Sequence, residues 1–98
     1  MKIINKKIIL ENVYYINLEE RTDRKTHVEK ELTELGWNFQ RFNAVKAKSG
    51  RIGCSMSHLK LLMKAKKENL PYIVIVEDDI QFTNKQKFNS LLRYSIYF

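Results

Sequence analysis

The sequence predicts an α/β fold, an open and mainly parallel β-sheet held between helices. Three observations carry that expectation. Strand-like and helix-like segments alternate along the chain in the order β-α-β-α-β, with one further helix after the last strand. Tyr72-Ile73-Val74-Ile75-Val76 is an apolar run without alternation, the pattern of a strand covered on both faces. Each main helical segment is followed by a residue that stops helices, Gly36 after the first and Pro71 after the second.

Taken in order, residues 13–18 (Val-Tyr-Tyr-Ile-Asn-Leu) form a β-branched and aromatic run that suits a buried strand. A polar turn follows at 19–22. Asp23 is placed to N-cap a helix that Gly36 ends in a left-handed conformation, and Val28, Leu32 and Leu35 give it one apolar stripe. Residues 37–45 alternate loosely through Trp37, Phe39, Phe42 and Val45 and read as a second strand. Residues 46–52 are a basic loop containing Gly50. Residues 53–69 then carry Met56, Leu59, Leu62 and Met63 at helical spacing, continued by Leu70, with Lys60, Lys64 and Lys67 on the other face. Beyond the 72–76 strand, Ile80, Gln81 and Phe82 continue extended, and Asn84 caps a last helix running to Arg93.

The chain has 98 residues, of which 44% are hydrophobic, and three Gly with one Pro. That is a globular composition of single-domain size, neither disordered nor collagen-like. No apolar run approaches the ~20 residues of a membrane span, and the first ten residues are too broken by lysine for a signal-peptide core. A single cysteine, Cys54, excludes an internal disulfide framework and a cysteine-cluster zinc site. It points to a reducing, cytoplasmic setting, with peripheral attachment to a membrane as a compatible variant. The net charge is +7 and uneven: eight basic residues and no acidic one fall between Arg41 and Lys67. Such a stretch is either a solvated lysine face or a contact for a polyanion.

In a parallel sheet with right-handed crossovers the carboxyl ends of the strands share one edge, and ligands bind in the crevice outside it. The first strand delivers Asn17, then Arg21 and Arg24, to that edge; the central strand delivers Glu77, Asp78 and Asp79. Two like charges ~4 Å apart repel by about 4 kcal/mol at an effective dielectric of 20. The trio therefore either splays into solvent as an acidic turn or is held by a cation. Mg²⁺ or Mn²⁺ suits carboxylate oxygens and is commonly shared with substrate phosphates. Strand periodicity puts Glu77 and Asp79 on one side and Asp78 on the other, so one of the first pair can grip metal while the other accepts from a hydroxyl.

Gly53-Cys54-Ser55-Met56-Ser57-His58 opens the second helical segment. Ser55 or Ser57 can cap it, and with Arg51 nearby the helix start is either an anion site or capping alone. His58 is a ligand, an acid/base or a hydrogen-bonded surface group; Cys54 reads as a small packing residue, and His27 has no evident partner. No G-x-G-x-x-G, P-loop, H-E-x-x-H or G-x-S-x-G motif occurs, which sets aside dehydrogenases, ordinary kinases and ATPases, zinc proteases and serine hydrolases.

Three blocks, in order, carry a resemblance: Val13-Tyr14-Tyr15-Ile16-Asn17-Leu18 with Arg21-Thr22-Asp23-Arg24, then Gly53 to His58, then Ile75-Val76-Glu77-Asp78-Asp79. With the intervening Phe42-Asn43-Ala44-Val45, the chain over residues 13–82 resembles the family 25 glycosyltransferases, which include lipopolysaccharide and procollagen galactosyltransferases. The resemblance implies a GT-A-like, Rossmann-like fold, a UDP-sugar donor (UDP-galactose or UDP-glucose), and a glycan or protein acceptor. It also implies Mn²⁺ or Mg²⁺ with no organic cofactor, and transfer with inversion. On this resemblance Asp79 ligates the metal directly, with Glu77 on the ribose or a metal-bound water. Asn17, Arg21, Arg24, Ser57, His58, Glu77 and Asp78 line the nucleotide-sugar pocket. The family's domain is about twice this length, so residues 1–98 are expected to be a single partial domain, its N-terminal donor-binding half, with the catalytic base beyond Phe98. The apolar tail ending at Phe98 is then a docking surface for a complementing chain. Two further readings stand beside this one: a truncated, non-catalytic transferase acting as an interaction module, and a small basic nucleic-acid-binding protein. Nucleic acid is disfavoured as a partner, because the aromatics do not interleave with the lysines and the acidic trio would face a polyanion.

Overall fold

The apolar runs at 13–17 and 73–76 build the centre of the molecule. The computed structural model describes residues 2–4, 7–80 and 94–98. Strands β1 (Lys2–Ile4) and β2 (Lys7–Ile9) pair antiparallel as a small separate sheet. The main sheet contains β3 (Val13–Asn17), β4 (Phe39–Asn43), β5 (Ile73–Glu77) and β6 (Tyr94–Tyr97), in the order β4-β3-β5-β6. β3 is parallel to both β4 and β5, while β6 lies antiparallel to β5. The fold is therefore α/β with an open, mostly parallel sheet flanked by helices, as the alternation of segments predicts.

Side-chain alternation shows why both faces are covered. Val13 and Tyr15 of β3 pack with Val74 and Val76 of β5 against Val28 and Leu32 of helix α1 (Thr22–Leu35). Tyr14, Ile16, Ile73 and Ile75 point the other way, onto Leu61 of helix α2 (Gly50–Lys67). Every residue of β3 is buried, as are the first four of β5. The edge strand β4 alternates between half-buried and exposed positions, consistent with its looser sequence pattern. Gly36 ends α1 at φ 75°, and two bonds close the last turn: Gly36 N–H to Thr33 O at 3.0 Å and Trp37 N–H to Leu32 O at 3.3 Å.

Several boundaries differ from expectation. α1 starts at Thr22 with Arg21 at the cap position and no side-chain cap; Asp23, expected there, lies inside the first turn and pairs with Arg21. α2 starts at Gly50, three residues early: Ser49, in extended backbone, accepts from the Ile52 N–H at 3.2 Å and caps the helix. Ser55 and Ser57 are therefore inside the helix and cap nothing. Met56, Leu59 and Met63 do not form its core face; all three are exposed, and Gly53, Ser57 and Leu61 meet the fold instead. After β5 the chain turns at Asp78 and Asp79, with the Ile80 N–H donating to Glu77 O at 3.2 Å. Gln81, Phe82 and the helix expected at 84–93 lie outside the described residues. The end of the chain is used within the fold, its backbone joining the sheet as β6 and the Phe98 ring lying 6.0 Å from that of Tyr72. Among the described residues no helix is long and apolar enough to cross a membrane.

Candidate functional site

The chain leaves β3 first to one side of it, through α1 to β4, and then crosses to the other side, through α2 to β5. That reversal opens a crevice at the carboxyl ends of β3 and β5, the place where sheets of this type bind ligands. A cleft of about 460 Å³ lies there. Its walls come from four stretches: Leu18, Glu20, Arg21 and Arg24; Ala44 to Ala47; Ser49, Gly50, Gly53, Cys54 and Ser57; and Glu77, Asp78 and Asp79.

Beneath the cleft a polar network holds the strand ends together. Asn17 is 1% exposed and both hydrogens of its side-chain amide are used within the fold. Its amide donates to Asp78 Oδ2 at 2.8 Å and to the Arg21 carbonyl at 3.1 Å, and its Oδ1 accepts from Arg41 Nε at 3.0 Å. Arg41 also donates to the Asn17 carbonyl at 2.9 Å and to Asn43 Oδ1 at 3.0 Å. Asp78 is buried and its other oxygen faces the Arg24 guanidinium at 3.5 Å. Asn17 thus carries no spare donor for a ligand: it is a brace joining β3, β4 and the turn after β5. On the α1 side of the cleft, then, Asp78 steers Arg24.

On the α2 side, Cys54 lies against Glu77, its thiol donating to Oε1 at 3.5 Å. Partial burial raises the Cys54 pKa, and the neighbouring Glu77 and Asp79 charges raise it further. The alternation anticipated for the trio is therefore realised, with Asp78 toward α1 and Glu77 toward α2. Cys54 is half-buried at the wall rather than packed in the core.

Gly53 has a specific reason to be glycine. A Cβ there would lie 2.5 Å from the Val45 carbonyl oxygen, so only glycine lets α2 approach the loop after β4. One turn later, Ser57 Oγ accepts from the Val45 N–H at 2.9 Å and donates to the Gly53 carbonyl at 2.8 Å. Gly53 and Ser57 together fix one wall of the cleft and bring the α2 N-terminus to its rim, where Ser49 and Gly50 sit.

Of the sequence-predicted residues, Arg21, Arg24, Ser57, Glu77, Asp78 and Asp79 converge on this cleft. His58 does not: it is half-buried on α2 one position past Ser57, rotated off the cleft wall. Arg51 is exposed and not part of the lining. Arg21 forms a two-bond pair with Asp23 at 2.9 and 3.0 Å, which raises its own pKa and holds the Asp23 carboxyl well below the usual range. His27 has a partner after all, the Ile80 carbonyl, 2.5 Å from Nε2, and so ties α1 to the turn carrying the acidic trio. Sequence reading missed Arg41, Glu20 and Lys46; the last two form an exposed pair at 3.0 Å across the rim.

The family model described as Glycosyltransferase family 25 (LPS biosynthesis protein) matches residues 10–51 and 48–96. The chain belongs to glycosyltransferase family 25. It is 31% identical over 96 residues to the lipooligosaccharide biosynthesis protein lic2B of Haemophilus influenzae, covering 76% of this chain and 36% of that protein. It is 29% identical over 104 residues to a glycosyltransferase 25 family member of Anopheles gambiae, covering 78% of this chain and 18% of the relative. A glycosyltransferase 25 family member of Drosophila pseudoobscura pseudoobscura is 27% identical over 104 residues, with 78% and 17% covered. The chain thus spans between about a sixth and a third of these relatives. The family match includes both the Asn17–Arg24 block and the Gly53–Asp79 stretch from which the cleft is built.

Among the described residues no group of three or more His, Cys, Asp or Glu side chains comes together that could hold a metal ion. Asp78 is held by Asn17 and Arg24, and Glu77, which accepts the Cys54 thiol, and Asp79 are the other two carboxylates lining the cleft. Two carboxylates fit the mode in which Mg²⁺-type ions take few protein ligands and rely on substrate phosphates for the rest.

Proposed function

We propose that this chain forms the donor-binding part of a GT-A-type hexosyltransferase. In this reading it takes a UDP-sugar, with galactose or glucose as the sugar, and the hexose passes with inversion to a hydroxyl of a glycan or protein. One observation carries the reading: in a family 25 chain, Arg21, Arg24 and the α2 N-terminus face Glu77 and Asp79 across one cleft at the carboxyl edge of the sheet. Arg24, steered by Asp78, gives charge-assisted hydrogen bonds to a phosphate oxygen, while Arg21, paired with Asp23, lines the rim beside it. The backbone N–H groups at Ser49 and Gly50 suit a second phosphate position. Asp79 with Glu77 would hold Mn²⁺ or Mg²⁺ together with the diphosphate. When bound, such an ion neutralises charge on the departing diphosphate. Asn17 and Arg41 contact no ligand here; they keep the two strand ends in register so that Arg24 and the carboxylates stay opposed.

A thermal-shift experiment tests the reading. Ligand at tenfold its Kd adds about 1.4 kcal/mol to stability, which raises Tm by roughly 5–10 °C in a domain of this size. UDP-galactose or UDP-glucose with Mn²⁺ is expected to give such a rise. Asp79→Ala is expected to abolish it, each protein being compared with its own unliganded Tm. A folded sample that shows no shift at millimolar ligand refutes the proposal.

A further inference from the structure

α2 has two apolar faces, and only one is used by the fold. Gly53, Ser57 and Leu61 meet the sheet and the loop after β4. On the opposite side Ile52, Met56, Leu59 and Met63, spaced four, three and four residues apart, form one continuous stripe over three turns. They are exposed, Leu59 at 58% and Met63 at 62%, unusual for four neighbouring large apolar side chains on a small chain. At 100° per residue, Lys66 lies on one flank of this stripe and Lys60 and Lys67 on the other. All three are exposed, and α2 contains no Asp or Glu. A stripe of Ile, Leu and Met bordered by lysines on both sides offers a lipid surface apolar side chains for its acyl boundary and lysines for its anionic headgroups, while the other face of the helix stays packed in the fold.

We propose that the outer face of α2 docks this chain onto an anionic lipid surface. Charge decides between this occupant and a second copy of the chain. Two α2 faces packed together would oppose lysine to lysine with no acidic residue between Gly50 and Lys67 to relieve them. A negatively charged bilayer complements the same lysines, each worth about a fivefold gain in affinity near such a surface. The α2 N-terminus sits at the cleft rim, so a bilayer beneath this helix lies beside the cleft. The proposal does not depend on the donor reading, since Ile52, Met56, Leu59 and Met63 are not part of the cleft wall.

Co-sedimentation of the 98-residue chain with vesicles tests it, using phosphatidylcholine alone and equimolar phosphatidylcholine and phosphatidylglycerol. Binding is expected to the mixed vesicles only, weakening as salt rises. Leu59→Gln with Met63→Gln and, separately, Lys66→Gln with Lys67→Gln should each weaken it at least tenfold, with far-UV circular dichroism and Tm unchanged. Equal binding to both vesicle types, no binding to either, or full binding by the Leu59→Gln/Met63→Gln variant overturns the proposal. So does a dimer in sedimentation equilibrium that this double variant abolishes, because the face then belongs to a second copy.

Discussion

Replacing Asn17 by Asp changes one atom type and removes the donor on which the strand-end brace depends. The Asn17 amide lies 2.8 Å from Asp78 Oδ2 in a site almost closed to water. A carboxylate in its place sets two negative oxygens at that separation, a repulsion of about 6 kcal/mol at an effective dielectric of 20. The pair has a less costly escape, which is to retain one proton between the two groups. Holding that proton near pH 7, about three units above an ordinary carboxyl pKa, costs about 4 kcal/mol, so protonation wins. The folded-state pKa is then raised above the unfolded value, and the destabilisation grows as pH rises. Urea unfolding followed by circular dichroism should show Asn17→Asp less stable than wild type by about 4 kcal/mol near pH 7. The gap should narrow by about 1.4 kcal/mol per pH unit toward pH 4. A gap that stays flat with pH, or one under about 1 kcal/mol near neutrality, would refute the assignment of Asn17 as the buried donor to Asp78.

Further outcomes follow from the same geometry. Gly53→Ala drives a methyl group into the Val45 carbonyl and should cost about 1–3 kcal/mol, despite the ~1 kcal/mol helix preference for Ala; Gly50→Ala, with open space around its Cβ, should be neutral or stabilising in the same melts. Arg41→Met leaves the buried Asn17 oxygen without its guanidinium partner and should lower stability by about 1–3 kcal/mol, measured by urea unfolding. Cys54 should alkylate slowly with iodoacetamide at neutral pH, because burial and then the Glu77 charge raise its pKa and keep the thiolate scarce. Glu77→Gln should speed that alkylation; an unchanged or slower rate would remove Glu77 from the Cys54 environment.

The fold was legible where one residue type had a single physical use. The unbroken apolar run before Glu77 announces a strand covered twice, and β5 is buried on both faces by α1 and α2. Gly36 announces a left-handed helix end, and it closes α1 with two backbone bonds. Legibility failed where one pattern had two uses. In α2 the helical spacing of Met56, Leu59 and Met63 shows that they share a face, but not that Gly53, Ser57 and Leu61 form the face that packs. Small residues win there because the Val45 loop comes too close for larger ones. The early start of α2 was hidden because Ser49, Ser55 and Ser57 all look like caps, and only backbone conformation selects Ser49.

The candidate site was partly legible for the same reason. Arg24 and the acidic trio follow from strand ends and parallel topology. Arg41 does not, since among so many basic residues nothing local marks the one that reaches from β4 to hold Asn17. Likewise Asn17 sits where a ligand contact was expected, yet its three side-chain bonds are all internal. Which partners take up the Asn17 donors is decided by the packed strand ends and has no sequence signature.

Calorimetric titration of the 98-residue chain with UDP in the presence of Mn²⁺, alongside uridine and the Asp79→Ala and Arg24→Ala variants, tests the donor-site reading most directly. UDP should bind saturably, uridine should bind far more weakly, and each substitution should weaken UDP at least tenfold, about 1.4 kcal/mol. UDP heats no larger than those of uridine, or unchanged affinity in both variants, would contradict a diphosphate site between Arg24 and Asp79.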